Sequence, residues 1–242
     1  MRGGILIIGS LLWDARPERE AWRKSRLTID KAVHVSVPIH YGRRSASRGN
    51  TFTMTFASDG PLGQGVLVPC RTNLSDSAAL LNEAEELWKA EQPTAAPGSI
   101  AASWGCVGLV FRDQPAPPEW LRAWVEHFHS KASPVPPVGS DGLLGIPWPA
   151  IAVDTAASVE LLLATATKPD TMCPLAEDVA DAWIDQDRGY ERYFFENVRH
   201  GIRTADDGAI WRRLKERRAR WLGGEAYAQA IAVLAGEERA LI

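Results

Sequence analysis

One glutamate in this sequence, Glu91, stands where a carboxylate is costly. The stretch from Ser75 to Glu91 reads as a single helix, with Ser75 as N-cap, Asp76 beside the positive helix end and Pro93 as the stop. With Leu80 as reference and about 100° per residue, Ala84, Leu87, Trp88 and Leu81 gather into one apolar stripe. Glu91 falls at about 20°, near the middle of that stripe, while Glu83 lies at its edge and Glu85 and Glu86 fall outside it. A carboxylate on a buried face is either paired or raised in pKa, and a raised pKa suits a general acid or base working near neutral pH. The alternative is that the helix frays before Pro93 and leaves Glu91 in water.

A second signal is the run GILIIGSLLWD at residues 4–14, in which Ile5 to Ile8 lead straight into Gly9-Ser10 and an apolar run resumes at Leu11. A hairpin would carry Asn-Gly or Asp-Gly here and an alternating strand behind it. Neither is present, so the small pair interrupts a buried strand for some other purpose.

Other reactive residues have plainer readings beside the chemical ones. Cys106 is half of a Cys–His nucleophile pair or, in its apolar strand, a buried inert thiol. His127 and His129, two apart on a helix, point in different directions, which is poor geometry for a metal. His34 and His40 belong to an alternating strand and face solvent. The basic run from Arg212 to Arg220 is a surface for nucleic acid or an acidic partner, or a solvated helix face balancing Asp178, Asp181, Asp185 and Asp187.

These residues need elements to hold them. Residues 4–8 read as a buried strand and residues 17–23 as a short helix; 32–41 and 51–56 alternate like half-buried strands. Residues 65–69 form a further strand stopped by Pro69. Four strands with short gaps predict a curved, barrel-like sheet. Residues 104–111 read as another strand, 119–131 as a helix with Trp120, Trp124 and Phe128 at helical spacing, and 159–167 as the last strand. The Pro- and Gly-rich stretch 132–151 reads as a surface excursion or lid. The chain is helical and heavily charged from about Pro174 onward. The expectation is an α+β protein with a core at 1–168 and a helical segment at 169–242 packed on its outside.

The 242 residues carry a formal charge of -3 and a pI near 6.0, which argues against a protein built mainly to hold nucleic acid. There is no apolar run of about 18 residues, so no membrane span is expected. Three scattered cysteines without a CxxC pair read as reduced thiols, which places the chain in the cytoplasm. Ten Trp against four Tyr point to a large core edged with amphipathic aromatics.

Three stretches in order resemble one family. GSLLW after an apolar strand is similar to the YGSL(L/I)W signature of the gamma-glutamylcyclotransferase-like family, especially its ChaC-type, glutathione-degrading branch. Tyr41 to Gly49 (YGRRSASRG), an alternating strand and then Gly63-Gln64-Gly65-Val66 resemble that branch's RRF…S…RG…GxGV order. Leu87-Trp88-Lys89-Ala90-Glu91 resembles its LDxxE ending. The likeness covers roughly residues 4 to 111. It departs where Ile8 replaces a Tyr and Trp88 replaces an Asp, and no Gly follows Glu91; residues 113–155 have no counterpart.

The resemblance implies that Glu91 is the catalytic acid/base and that Gly9, Ser10 and Leu11 bind the substrate. Gly9 lets the backbone come close to a ligand, while Ser10 and Leu11 offer backbone donors to an anion and to a developing oxyanion. The implied partner is a small gamma-glutamyl compound, which closes on itself to release 5-oxoproline and an amine without metal or cofactor. A protein of the same fold that binds a small ligand, or serves as an interaction module, without catalysis is the other expectation.

Overall fold

Two runs far apart in the chain pair at the centre of one sheet. The computed structural model describes residues 1–113, 116–133, 135–151, 158–170, 173–186 and 188–240. In it β1 (Gly3–Ile7) and β8 (Leu161–Thr167) lie parallel, with Gly3 opposite Leu161. Both are buried nearly throughout, which is why Ile5–Ile7 and Leu161–Leu163 run apolar without alternation. The other strands are β2 (Val33–Ser45), β3 (Thr51–Phe56), β4 (Leu62–Pro69), β5 (Ala101–Ala102), β6 (Gly105–Phe111) and β7 (Ala150–Ile151). Their order is β3-β2-β4-β1-β8-β6-β5, with β7 paired to β2, and every pairing besides β1–β8 is antiparallel. The protein is therefore α+β with a mixed sheet.

The expectation of a barrel is corrected by the edges. β5 has two residues and β3 forms no ladder with it, so the sheet stays open. It is nonetheless curled. Thr55 Oγ1 donates to the Thr167 carbonyl at 2.8 Å, and Thr167 Oγ1 donates to the Met54 carbonyl at 3.3 Å. Side-chain hydroxyls thus hold β3 near β8 where backbone pairing would have closed a barrel.

Seven α-helices are present among the described residues: α1 (Pro17–Arg26), α2 (Ser77–Glu91), α3 (Pro118–Lys131), α4 (Ala176–Gln186), α5 (Arg192–Arg199), α6 (Asp207–Glu216) and α7 (Ala228–Ala240). Asp76, not Ser75, caps α2: its carboxylate accepts from the Ala79 N–H at 2.8 Å. Ser75 Oγ instead donates to Asp76. None of these helices is long and apolar enough to cross a membrane.

The stretch 132–151 is packed rather than superficial, within its described residues. Val135, Val138 and Leu144 are buried, the Leu109 N–H on β6 donates to the Gly142 carbonyl at 3.2 Å, and the Leu144 N–H donates to the Leu109 carbonyl at 2.8 Å. Pro134 lies outside the described residues, as does Asp187 of the acidic set.

The C-terminal helices reach the sheet through aromatics. Trp183 of α4 meets Tyr41 of β2 edge-on at 5.5 Å and stacks with Phe194 of α5 at 5.4 Å. Beyond the end of β1, Gln64 on β4 exchanges both backbone hydrogen bonds with Arg203 (2.8 and 2.9 Å). A Cβ on Gly63 would sit 2.3 Å from the Arg203 carbonyl, so only glycine admits that approach. This pairing brings the segment after α5 alongside β4, and Tyr193 of α5 reaches the loop that follows β1.

Candidate functional site

The loop after β1 is a tight turn held from the side by α1. The carbonyls of Gly9 and Ser10 accept the turn bonds, from Leu12 and from Trp13 and Asp14 respectively. The N–H groups of Gly9, Ser10 and Leu11 donate to no acceptor among the described residues. Helix α1 buries Arg19 and Trp22, three residues apart on one face, and Pro17 starts it without loss of a hydrogen bond. Arg19 donates to Ser10 Oγ at 2.7 Å, and Arg23 donates to the carbonyls of Leu11 (2.7 Å) and Asp14 (2.8 Å). The loop's carbonyls are thus occupied by its own turn bonds and by Arg23, while three of its N–H groups remain available.

Glu91 is the last residue of α2, where Pro93 halts the helix. Its side chain is 16% exposed and is bound by the Arg19 guanidinium, itself 5% exposed. Arg19 also pairs with Asp14 at 3.2 Å. Burial lowers the Arg19 pKa and the Glu91 carboxylate pulls it back up. The expected frayed helix end is not found, nor is an uncompensated buried carboxylate; Glu91 is half of an ion pair. Glu83, at the edge of the predicted stripe, is the more buried of the two at 1% and is held by Arg26 at 2.6 Å. Burial raises its pKa and Arg26 opposes that. It lies outside the cavity described next.

Glu91 and the loop residues Gly9, Ser10 and Leu11, some eighty positions apart, line one cavity of about 490 Å³. The structure brings all four predicted residues together. It also adds groups to which the sequence reading assigned no role. Arg16, Arg19, Arg43 and Arg48 line the cavity, and Glu91 is its one carboxylate among the described residues. Arg48 donates to Ser10 Oγ at 3.0 Å and lies over the Tyr193 ring at 4.7 Å. Arg43 lies over Trp104 at 4.9 Å, and Trp104 stacks on Trp88 of α2 at 5.0 Å. Trp88, the departure from the LDxxE pattern, therefore carries Trp104 on its face. Burial and the nearby Arg48 lower the Arg43 pKa, and the Glu91 and Asp170 carboxylates oppose them. Arg43 and Arg48 were visible in YGRRSASRG, but nothing local marks which arginines turn inward.

Tyr193 on α5 is the fifth addition. Its hydroxyl sits 2.6 Å from where a Cβ on Gly9 would project, and it accepts the Met54 N–H at 3.3 Å. Burial raises its pKa, which keeps the phenol protonated. One helical turn later, Asn197 accepts the Trp13 indole N–H at 2.7 Å. Helix α5 is thereby latched to both ends of the loop.

The other candidates do not join the site. Cys106 is buried in β6 with its thiol pushed up to about 11 by burial, which leaves it an inert core residue. His127 lies 3.6 Å from Glu85, while His129 bonds the Ser140 carbonyl at 2.5 Å. His34 bonds the His200 carbonyl at 3.1 Å. In the basic run, Arg213 and Arg217 pair with Asp181 at 2.6 and 3.0 Å, and Lys215 pairs with Glu238 at 2.5 Å.

Comparison with protein-family models, curated proteins and solved structures found no match to this chain.

Proposed function

We propose that the protein is a gamma-glutamylcyclotransferase-like enzyme that converts a gamma-glutamyl compound to 5-oxoproline and a free amine. The observation that carries this reading is the single cavity shared by Glu91 and the Gly9–Leu11 loop. The loop N–H groups, with Arg48 beside Ser10, hold the substrate's alpha-carboxylate and face its gamma-carbonyl oxygen. Glu91 takes a proton from the alpha-ammonium. The freed amine attacks its own gamma-carbonyl, and negative charge develops on the oxygen facing the loop. Collapse breaks the original amide bond as Glu91 returns its proton to the leaving amine, and the ring nitrogen sheds a second proton, which the freed amine takes up as it departs as an ammonium. One C–N bond forms, one breaks, and both protons lost by the original ammonium end on the released amine.

Tethering of the two reacting groups supplies much of the rate, since the protein has only to select one folded rotamer. Arg19 supplies the compensating charge for Glu91 as a carboxylate and fixes its position through the shared contact with Ser10. Tyr193 offers a neutral hydroxyl beside Gly9.

The Arg19–Glu91 ion pair also favours a second reading, a protein of this fold that binds a small anion without turning it over, because the carboxylate already has its partner. Incubation of purified protein with gamma-glutamyl dipeptides, with 5-oxoproline measured by chromatography, separates the two. Release of 5-oxoproline that disappears in Glu91→Gln supports the enzyme; tight binding without release supports the binder.

A further inference from the structure

The charges that line the loop cavity do not cancel. Glu91 is taken by Arg19, and Asp14 by Arg19 and Arg16. Arg43 and Arg48 have no carboxylate within ion-pair distance among the described residues. The Arg43 guanidinium donates no hydrogen bond to any of them, and that of Arg48 donates one, to Ser10 Oγ at 3.0 Å. Each head is held against a ring instead, Arg43 over Trp104 and Arg48 over Tyr193, which leaves its N–H edge free.

Ser10 adds a donor. Its Oγ accepts from Arg19 at 2.7 Å as well as from Arg48, which fills both lone pairs. The hydroxyl keeps its own proton, and no acceptor among the described residues takes it. The N–H groups of Gly9, Ser10 and Leu11 are open too. The wall therefore offers donors and two uncompensated positive charges, while its carboxylate is already bound. A matching ligand presents acceptors on several sides and carries more than one negative charge. A planar carboxylate has too few oxygens and too little charge for both arginines, the hydroxyl and the loop together. A tetrahedral phosphate has three or more acceptor oxygens and a charge of about -2.

We infer that Arg43, Arg48 and the Gly9–Leu11 loop form a phosphate site, for inorganic phosphate or for the head of a small phosphate monoester. The site stands on this geometry alone. Its effect on turnover, which is to exclude a gamma-glutamyl compound from the same loop, rests on the proposed reaction.

The test is calorimetric binding of inorganic phosphate and of acetate at about pH 8, where phosphate is mostly the dianion, and at constant ionic strength. The wild-type protein is expected to bind phosphate at least about tenfold more tightly than acetate. The Arg43→Gln/Arg48→Gln variant is expected to lose at least about 30-fold in phosphate affinity, whereas Arg44→Gln, on the wall of the neighbouring cavity, keeps it. Arg43→Lys keeps the charge and loses the fork, and its expected loss of about fivefold stands in if the double variant does not fold. Glycerol 3-phosphate binding more tightly than inorganic phosphate identifies the monoester as the ligand, and the reverse identifies the free ion. Phosphate no tighter than acetate, or an affinity untouched by the Arg43 and Arg48 substitutions, overturns the site. With gamma-glutamyl dipeptides phosphate is expected to raise KM and leave kcat unchanged. Release of 5-oxoproline that saturating phosphate does not slow overturns the site and leaves the reaction standing. Phosphate bound as expected by a protein that releases no 5-oxoproline overturns the reaction and leaves the site standing.

Discussion

Arg19 on α1 clasps Glu91 at the end of α2, across 72 positions of sequence, and with the same guanidinium holds Ser10 Oγ. The contact makes the acid, the loop and the first helix one mechanical unit. Arg19→Ala removes the partner of a mostly buried carboxylate and unties the loop, and is expected to destabilise the protein by about 3 kcal/mol. Urea denaturation with an unchanged m-value checks it; a loss below about 1 kcal/mol would show that the pair contributes little to the fold.

The two inward glutamates of α2 should part ways on substitution. Glu91→Gln is expected to lower 5-oxoproline release by at least about 100-fold while leaving most of the protein folded. Glu83→Gln strips the charge partner from Arg26 and is expected to cost about 2 kcal/mol of stability with kcat within about twofold of wild type. Full activity in Glu91→Gln would remove the assigned base.

Gly9 and Tyr193 compete for one volume. A methyl at position 9 would meet the phenolic oxygen at 2.6 Å, whereas the next nearest ring atom is 3.4 Å away. Gly9→Ala is expected to destabilise by about 2 kcal/mol, and adding Tyr193→Phe should return about half of that. A double-mutant cycle on thermal midpoints reads the coupling. Additive effects would place the hydroxyl elsewhere. Tyr193→Phe alone is expected to reduce kcat about tenfold with little change in stability.

Asp181 links α4 to α6, and the hydrogen bond from Arg213 is the main cause holding its pKa below the ordinary 3.8. A depressed carboxylate binds fewer protons folded than unfolded. Its stabilisation is therefore present above about pH 4 and lost as pH falls through the folded-state pKa. The pair is partly exposed, so Asp181→Asn is expected to cost only about 0.5–1 kcal/mol at pH 7. Chemical denaturation at pH 7 and pH 2.5 should show the difference at the first and not at the second.

The bounds of strand β3 are legible residue for residue, because Thr51 to Phe56 alternate with a period of two, but the half-burial that this alternation predicts is not found: all six residues are buried. The helix carrying Glu91 was legible almost as well, since a 3.6-residue period puts Leu80, Ala84, Leu87 and Trp88 on the buried face. The sequence puts the N-cap one residue early because Ser75 and Asp76 are both good caps, and only the backbone entering α2 chooses between them. The stretch 132–151 looks like surface in the sequence because proline and glycine break periodicity. Its Val135, Val138 and Leu144 are nonetheless buried, fixed by single hydrogen bonds to β6 rather than by a repeating pattern.

Periodicity in the chain determined β2, β3, α2, α3 and the face on which Glu91 lies, because those depend on neighbours two to four residues away. The openness of the sheet, the arginines that line the cavity and the arrival of Tyr193 beside Gly9 were decided only by tertiary structure. A guanidinium on a long flexible stem is equally suited to solvent and to a buried partner. Which one it takes depends on what distant segment crosses its path, and no local pattern encodes that crossing.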